Sequence, residues 1–328
     1  MRYFVGVDQG GSKTEILLGD ENGLIVDKLS GFGYSAFIQD IKDSSEFAVR
    51  YLGQQVDYLK DLLQRNGIEM PDVYALTACM ATVDSDDIKK YYEDNLRLRT
   101  SIENIKVYND MYGAWRAGTN RLPSGVLGVG TGAGIWLFDE NGKAFNLSGR
   151  INYQAALGLG YRAFLHACMS AQYLIEPTIL SERICEFAQT PTIAEALKKT
   201  NNGWDVNALP YQHFVPFVYD AMLLKDRVAE DFVNQTGKGF ADCIREGIRE
   251  LGWENREVHF VMNGGSFKGK GFVLEKVIRE YLSDLDNLIL FQSEYEPVAG
   301  ALLLSYDNYG ISPDYHSFMR FKLRRNLH

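Results

Sequence analysis

The stretch "VGVDQGGSKTEILLGDENG", residues 5–23, runs an apolar strand into an aspartate, turns through Gly-Gly-Ser-Lys-Thr and enters a second apolar strand. A shortened form returns at residues 127–142 as "LGVGTGAGIWLFDENG". Residues 3–8 alternate apolar and small side chains up to Asp8, as a buried strand does. Gly10-Gly11 suit a tight reversal, because glycine accepts positive φ at little steric cost. Residues 14–18 then read as a second strand, 19–23 as a turn and 24–29 as a third strand. In the second copy, 125–130 and 135–138 read as strands about the turn Thr131-Gly132-Ala133-Gly134, and Asp139-Glu140-Asn141-Gly142 repeats the earlier turn letter for letter. Ile16-Leu17-Leu18 matches Ile135-Trp136-Leu137 at an offset of 119, whereas Gly6-Val7 matches Gly128-Val129 at 122, which makes the first hairpin three residues longer. A Gly-rich hairpin followed twice by the same turn at the same distance marks a duplicated unit.

Outward from the hairpins, strands and helices alternate. Residues 44–66 put Ala48, Tyr51, Leu52, Val56, Leu59, Leu62 and Leu63 on one helical face ended by Asn66-Gly67. "VYALTA" (73–78) is a strand, Asp84-Ser85 cap a helix to about residue 96, and "NIKVYND" (104–110) is a strand ending on Asp110. Helical period dominates 151–251, after which "VHFVMN" (258–263), a helix over 271–282, "NLILF" and an apolar helix over 297–306 follow. The spacing predicts an α/β chain of two halves, 1–118 and 119–328, with a helical insertion at about 151–251. No low-complexity linker separates the halves, so they are expected to meet across a cleft.

At 328 residues, 46% hydrophobic and 23% charged, the chain has the composition of a globular protein of two ordinary domains. A net charge of −9 excludes a general nucleic-acid surface, and the basic tail "FMRFKLRRNLH" reads as a solvated terminus. No apolar run approaches the roughly 18–20 residues of a membrane span, and the N-terminus enters a strand without a signal-peptide pattern. The expectation is a cytoplasmic protein with no membrane or nucleic-acid partner. Cys79, Cys168, Cys185 and Cys243 are dispersed and without a C-x-x-C, as are the five histidines, so neither a disulfide framework nor a zinc site is expected.

A Gly-rich hairpin between buried strands can aim several backbone N–H groups at one point, which makes an anion-binding nest. Two such hairpins from duplicated halves would grip a polyphosphate from both sides. Asp8 stands where a carboxylate would meet Mg²⁺ through water. There is no G-x-x-x-x-G-K-[ST], and the glycines lie between strands instead of opening a helix, so this is not a P-loop.

"VGVDQGGSKTEILL" resembles the first phosphate motif of the actin-like ATPase and sugar-kinase superfamily, and "GVGTGAG" resembles its second. "VYNDMYGAWRAG" is similar to the connecting segment, "VMNGGSFKGKGFVLE" to the adenosine motif and "EYEPVAGALLLSY" to the closing segment. The branch most resembled holds N-acetylglucosamine kinases and the BadF/BadG/BcrA/BcrD-type ATPases, and the motifs run in order from residue 5 to 306. The resemblance implies two RNase H-like domains around a nucleotide cleft and an ATP- and Mg²⁺-dependent phosphotransferase acting on a hydroxyl of a sugar or amino-sugar-like molecule. It implies that Asp8 organises Mg²⁺ and that Gly10, Gly11, Ser12, Lys13 and Thr14 line the phosphates. From the other half, Thr131 and Gly132 would contact the phosphates. Gly264 and Gly265 would let adenosine approach the backbone, with Phe267 and Lys268 near the base. Asp110 would be the general base, taking the acceptor's proton. Other readings of the same residues are a helix cap for Asp110, a solvated strand edge for Lys13 and core packing for Phe267. A homodimer is left open.

Three stretches depart from the kinases' pattern. Ala36 stands where they carry Asn, Ala156-Leu157 replace an acidic pair ahead of Gly158, Gly160 and Tyr161, and Arg150-Ile151 replace Trp-Gly. In those kinases these segments meet the sugar, so the departures imply that N-acetylglucosamine is a poor acceptor. The activator branch, whose ATPase acts on a protein partner, holds an iron–sulfur cluster on a Cys pair. Here Cys168 and Cys185 sit in apolar helical surroundings that read as structural. A sensor without catalysis is the remaining alternative, and the retained Asp8 and Asp110 speak against it.

Overall fold

The computed structural model describes residues 1–33, 44–151, 155–199, 209–321 and 323. The first strands are β1 (Tyr3–Gln9), β2 (Lys13–Asp20) and β3 (Ile25–Phe32), followed by helix α1 (Ser44–Arg65). Then come β4 (Val73–Met80), α2 (Asp86–Thr100), β5 (Asn104–Asn109) and α3 (Asp110–Arg116). The second copy opens with β6 (Ser124–Val129), β7 (Ala133–Phe138) and β8 (Ala144–Asn146). Helices α4 (Ala156–Ala171), α5 (Ile184–Ala188), α6 (Ile193–Lys199), α7 (Val215–Leu223) and α8 (Arg227–Glu250) fill the stretch before β9 (Val258–Asn263). The chain closes with α9 (Val273–Tyr281), β10 (Leu288–Gln292), α10 (Pro297–Tyr309) and α11 (Tyr315–Arg320).

The two sheets have the same order, β3-β2-β1-β4-β5 in the first and, read in the matching direction, β8-β7-β6-β9-β10 in the second. β1 is antiparallel to β2 and parallel to β4; β6 is antiparallel to β7 and parallel to β9. The repeated turns match bond for bond. Asp20 Oδ1 accepts the N–H groups of Asn22 (2.9 Å) and Leu24 (3.0 Å), and Asp139 Oδ1 those of Asn141 (2.8 Å) and Lys143 (2.9 Å). Gly23 and Gly142 sit at φ +79° and +76°, where glycine is at home.

The hairpins differ less than the letters imply. Val7 pairs with Ile16 and Leu127 with Ile135, so the first hairpin encloses one residue more than the second, not three. The Gly-Val match slips β1 by two residues against β6. A two-residue slip keeps every side chain on its own face, so the strand's period does not betray it. Nor do Gly10 and Gly11 have positive φ.

The chain divides into two compact units, Met1–Asn120 with Gln292–His328, and Arg121–Phe291. The sequence division at 118/119 assigns everything beyond it to the second half, whereas α10 and α11 belong to the first unit. Alternation along the strands puts Val5, Val7, Ile16 and Leu18 on a face packed by Leu52, Leu59 and Leu96 of α1 and α2. Phe4, Leu17 and Ala75 on the other face need a cover, which Val298, Leu302, Tyr306 and Phe318 provide. Backbones touch there: a Cβ on Gly6 would lie 2.3 Å from Leu302 N, and one on Gly300 1.9 Å from Gly113 O.

In the second unit one core joins Leu127, Ile135 and Phe260 of the sheet to Phe164, Val218, Phe240 and Ile244 of the helices. The helical block is part of that core. A Cβ on Gly160 of α4 would meet Tyr211 O at 1.9 Å, and one on Gly247 of α8 would meet Leu137 Cδ1 of β7 at 2.7 Å. Among the described residues no helix is long and apolar enough to cross a membrane.

Candidate functional site

In the first unit the cross-strand register lays Ser30, Glu15, Asp8, Cys79 and Tyr108 in one row across β3, β2, β1, β4 and β5. The row faces α3 and α10, since Cys79 lies against Gly113 of α3. Asp8 is buried, 8% exposed, and its carboxyl is raised to about 8 by burial, then by the nearby charges of Asp110, Glu15 and Glu296; Lys13 opposes them. Asp110, half-buried, is raised to about 6 by burial and then by Asp84. Burial and these two carboxylates push the Cys79 thiol well up. The fold therefore brings Asp8 and Asp110 together at one end of the sheet.

Asp110 is the first residue of α3 and is not its cap. Asn109 Oδ1 accepts the Met111 N–H at 3.0 Å, and Asn109 Nδ2 donates to Val83 O and Asp84 Oδ1, both at 3.2 Å. The cap that the sequence reading allowed to Asp110 is thus made one residue earlier, by Asn109 at the end of β5.

The first hairpin closes with the Gly10 N–H donating to Lys13 O at 3.0 Å. Gly11 and Ser12 form its accessible tip, and a Cβ on Gly33 would meet Gly11 O at 2.3 Å, so the end of β3 lies directly on it. Lys13 is exposed and ion-paired with Glu15. Thr14, by contrast, is fully buried in β2 with no partner for its Oγ1, so its side chain is not at the tip. Two features escaped sequence reading. Gln9 is buried and donates from Nε2 to Tyr51 O and Gln54 Oε1, both at 3.2 Å, tying the strand end to α1. Glu15 gathers Lys13, Lys28 and Ser30.

In the second unit the Gly130 N–H donates to Gly132 O at 2.8 Å, leaving Thr131 and Gly132 exposed. The first turn of α4 is bonded to this hairpin: the Ala156 N–H donates to Gly130 O at 3.1 Å and the Leu157 N–H to Thr131 O at 3.2 Å. The parallel register sets Gly128 beside Asn263 and so brings the Gly264-Gly265 segment to the same hairpin. Gly264 has φ +117°, and a Cβ there would lie 2.2 Å from Val129 O. Gly265 and Lys268 are exposed. Phe267 is 0% exposed within the core, so the packing reading of that residue holds over a contact with the base.

Ala36 lies outside the described residues. Ala156 is buried and Leu157 half-buried at the start of α4, Arg150 pairs with Glu250 through two 2.9 Å hydrogen bonds, and Ile151 is buried. Cys168 is buried and its thiol is pushed up to about 12 by burial and then by Cys185, the reverse of a thiolate ligand's environment. Among the described residues no group of three or more His, Cys, Asp or Glu is arranged to hold a metal ion.

No family model matches the chain. An N-acetyl-D-glucosamine kinase of Dictyostelium discoideum is 22% identical over 324 residues, covering 93% of this chain and 98% of the relative. A structure assigned as an N-acetylglucosamine kinase from Chromobacterium violaceum superposes with a TM-score of 0.69 at 17% identity, over 93% of this chain and 99% of its own. A ROK family glucokinase from Streptomyces griseus, in complex with glucose and AMPPNP, superposes with a TM-score of 0.56 at 14% identity, over 93% and 99%.

Proposed function

We propose that this chain, which has the two-unit fold of the actin-like ATPase sugar kinases, transfers the γ-phosphate of ATP to a hydroxyl of a sugar or amino-sugar-like small molecule. The observation that carries the reading is the meeting of Asp8 and Asp110 beside a Gly-rich hairpin. Phosphoryl transfer asks a protein for charge neutralisation, alignment and a place for the acceptor's proton. Asp110, raised to about 6 and relieved of capping by Asn109, is suited to take that proton near neutral pH.

Asp8 is the residue that would hold Mg²⁺. Its buried carboxyl faces Asp110, Glu15 and Glu296 with Lys13 opposing them, so a cation would relieve the crowding. The donor is a hard oxygen, as Mg²⁺ prefers, and waters and phosphates would complete its shell. When bound, Mg²⁺ supplies neutralisation of the phosphate charge. Gly10, Gly11, Ser12 and Lys13 are the phosphate-binding candidates of the first unit, and Thr131 and Gly132 those of the second. Gly264 and Gly265 admit the adenosine, with Lys268 near the base. Thr14 and Phe267 support these loops from the cores behind them.

The reading places the enzyme in the cytoplasm and leaves a homodimer open. Ala156 and Leu157 offer the acceptor no polar side chain, so N-acetylglucosamine is expected to be used poorly. Release of ADP from Mg²⁺–ATP, measured with hexoses, hexosamines and their N-acyl derivatives against a water-only background, tests the proposal. Strong stimulation by one sugar class supports it; ADP release that no sugar changes overturns it.

A further inference from the structure

Glu15 is directly opposite Asp8 in the register of β1 with β2 and directly opposite Ser30 in that of β2 with β3. Two carboxylates facing each other on adjacent strands repel, and this one is only 5% exposed. Its charge is matched oxygen by oxygen. Oε2 pairs with Lys13 Nζ, while Oε1 pairs with Lys28 Nζ at 2.6 Å and accepts the Ser30 hydroxyl at 3.3 Å.

The two lysines are not equivalent. Lys13 is the first residue of β2, at the base of the hairpin, and its side chain is 51% exposed; that of Lys28 is 23% exposed. Lys13 Nζ is held on Glu15, on the sheet face that carries Asp8, where it also feels the charges of Asp8 and Glu296. Stripping a buried carboxylate of its sole cation is strongly destabilising, but a second lysine already seated on the other oxygen removes that obstacle.

We propose that Glu15 competes with the phosphates for Lys13 and that Lys28 is the counter-charge that lets Lys13 leave for them. The proposal rests on the reading of the hairpin as a phosphate site and adds a regulation of it. Glu15 competes with the polyphosphate for one lysine. Nucleotide affinity is thereby held down and product release eased, while Glu15 stays paired in both states. In this scheme Glu15 is a positioning residue and touches no substrate.

Binding of Mg²⁺–ADP, which cannot turn over, tests this by calorimetry on the full chain. Glu15→Gln removes the competitor and one negative charge, and is expected to tighten Mg²⁺–ADP by about 5- to 10-fold. Lys13→Met should weaken it by on the order of 10- to 100-fold, the loss of a charge-assisted bond, and the double variant should behave as Lys13→Met alone. Lys28→Met leaves Lys13 as Glu15's only cation and should weaken nucleotide binding by about 3- to 10-fold from outside the site. A Glu15→Gln protein with wild-type melting temperature and unchanged or weaker Mg²⁺–ADP binding overturns the proposal. If Glu15→Gln does not fold, Lys28→Met decides: unchanged affinity overturns the proposal as well. A wild-type chain that binds no Mg²⁺–ADP overturns instead the nucleotide reading on which it rests.

Discussion

Asn109 accepts the Met111 N–H at 3.0 Å and caps α3 one residue ahead of Asp110. Capping thereby falls to Asn109 and the proposed proton transfer to Asp110, and substitution should separate the two. Asp110→Asn is expected to melt no lower than the wild type and leave ATP affinity within a few-fold, while transfer to the acceptor falls by on the order of 10²–10⁴. Asn109→Ala should instead cost about 1 kcal/mol of stability for the lost cap, and more for the bonds to Val83 and Asp84. Thermal melts beside a transfer assay check both.

The raised carboxyl of Asp8 has a stability consequence whose sign is fixed. Its pKa moves from 3.8 to about 8 in the folded chain, so between those values the folded state holds a proton that the unfolded state has released. The stability this contributes is complete below about pH 4 and is lost as pH rises toward 8. Asp8→Asn, neutral throughout, should therefore melt a few degrees higher than wild type at pH 8 without Mg²⁺, with the gain gone near pH 4. The same variant should gain little from Mg²⁺–ATP, which is expected to stabilise the wild type. Melting curves across pH, with and without Mg²⁺–ATP, read all of this.

Helix α10 is expected to be indispensable to the first unit. Ala at Gly6 or Gly300 would put a methyl within 2.3 Å of Leu302 N or 1.9 Å of Gly113 O. Each should cost about 3 kcal/mol or prevent folding, at the upper end for overpacking, because backbone and not a side-chain tip is in the way. Truncation after Phe291 should give aggregated protein, since Phe4, Leu17 and Ala75 lose their cover. Soluble yield and melting temperature report these outcomes.

Phe267 and Gly264 should respond differently. Phe267→Leu removes volume from the core and is expected to lower stability by about 1 kcal/mol or more with ATP affinity within a few-fold. Gly264→Ala meets both a left-handed φ of +117° and Val129 O at 2.2 Å, and should displace the second hairpin and weaken ATP binding by at least 10-fold if that hairpin holds phosphate. Calorimetric titration of ATP distinguishes the two.

Much of this was legible in the chain because its physics is local. The Asp20 and Asp139 turns are set by an aspartate bonding amides two and four residues ahead, with a glycine at positive φ, so the same four letters build the same turn twice. Period-two alternation identified the strands, and the α1 stripe named the residues that cover one face. What stayed hidden involves partners that periodicity cannot rank. The matching letters overstate the length of the first hairpin because a two-residue slip preserves facing. Phe267 follows two glycines, which invites a ligand, and only the surrounding core shows that it is filled by protein.

By itself, then, the sequence determined the order of elements, the duplication and the residue types at the loop tips, since these depend on contacts a few residues long. Tertiary structure alone decided that α10 covers the first sheet, that Asp8 meets Asp110 and that Glu15 sits between Lys13 and Lys28. Each of these joins residues brought together by strand register or by close backbone approach at glycine. Such pairings are settled by what fits on a twisted sheet when all its strands are in place, and no stretch of chain carries that information alone.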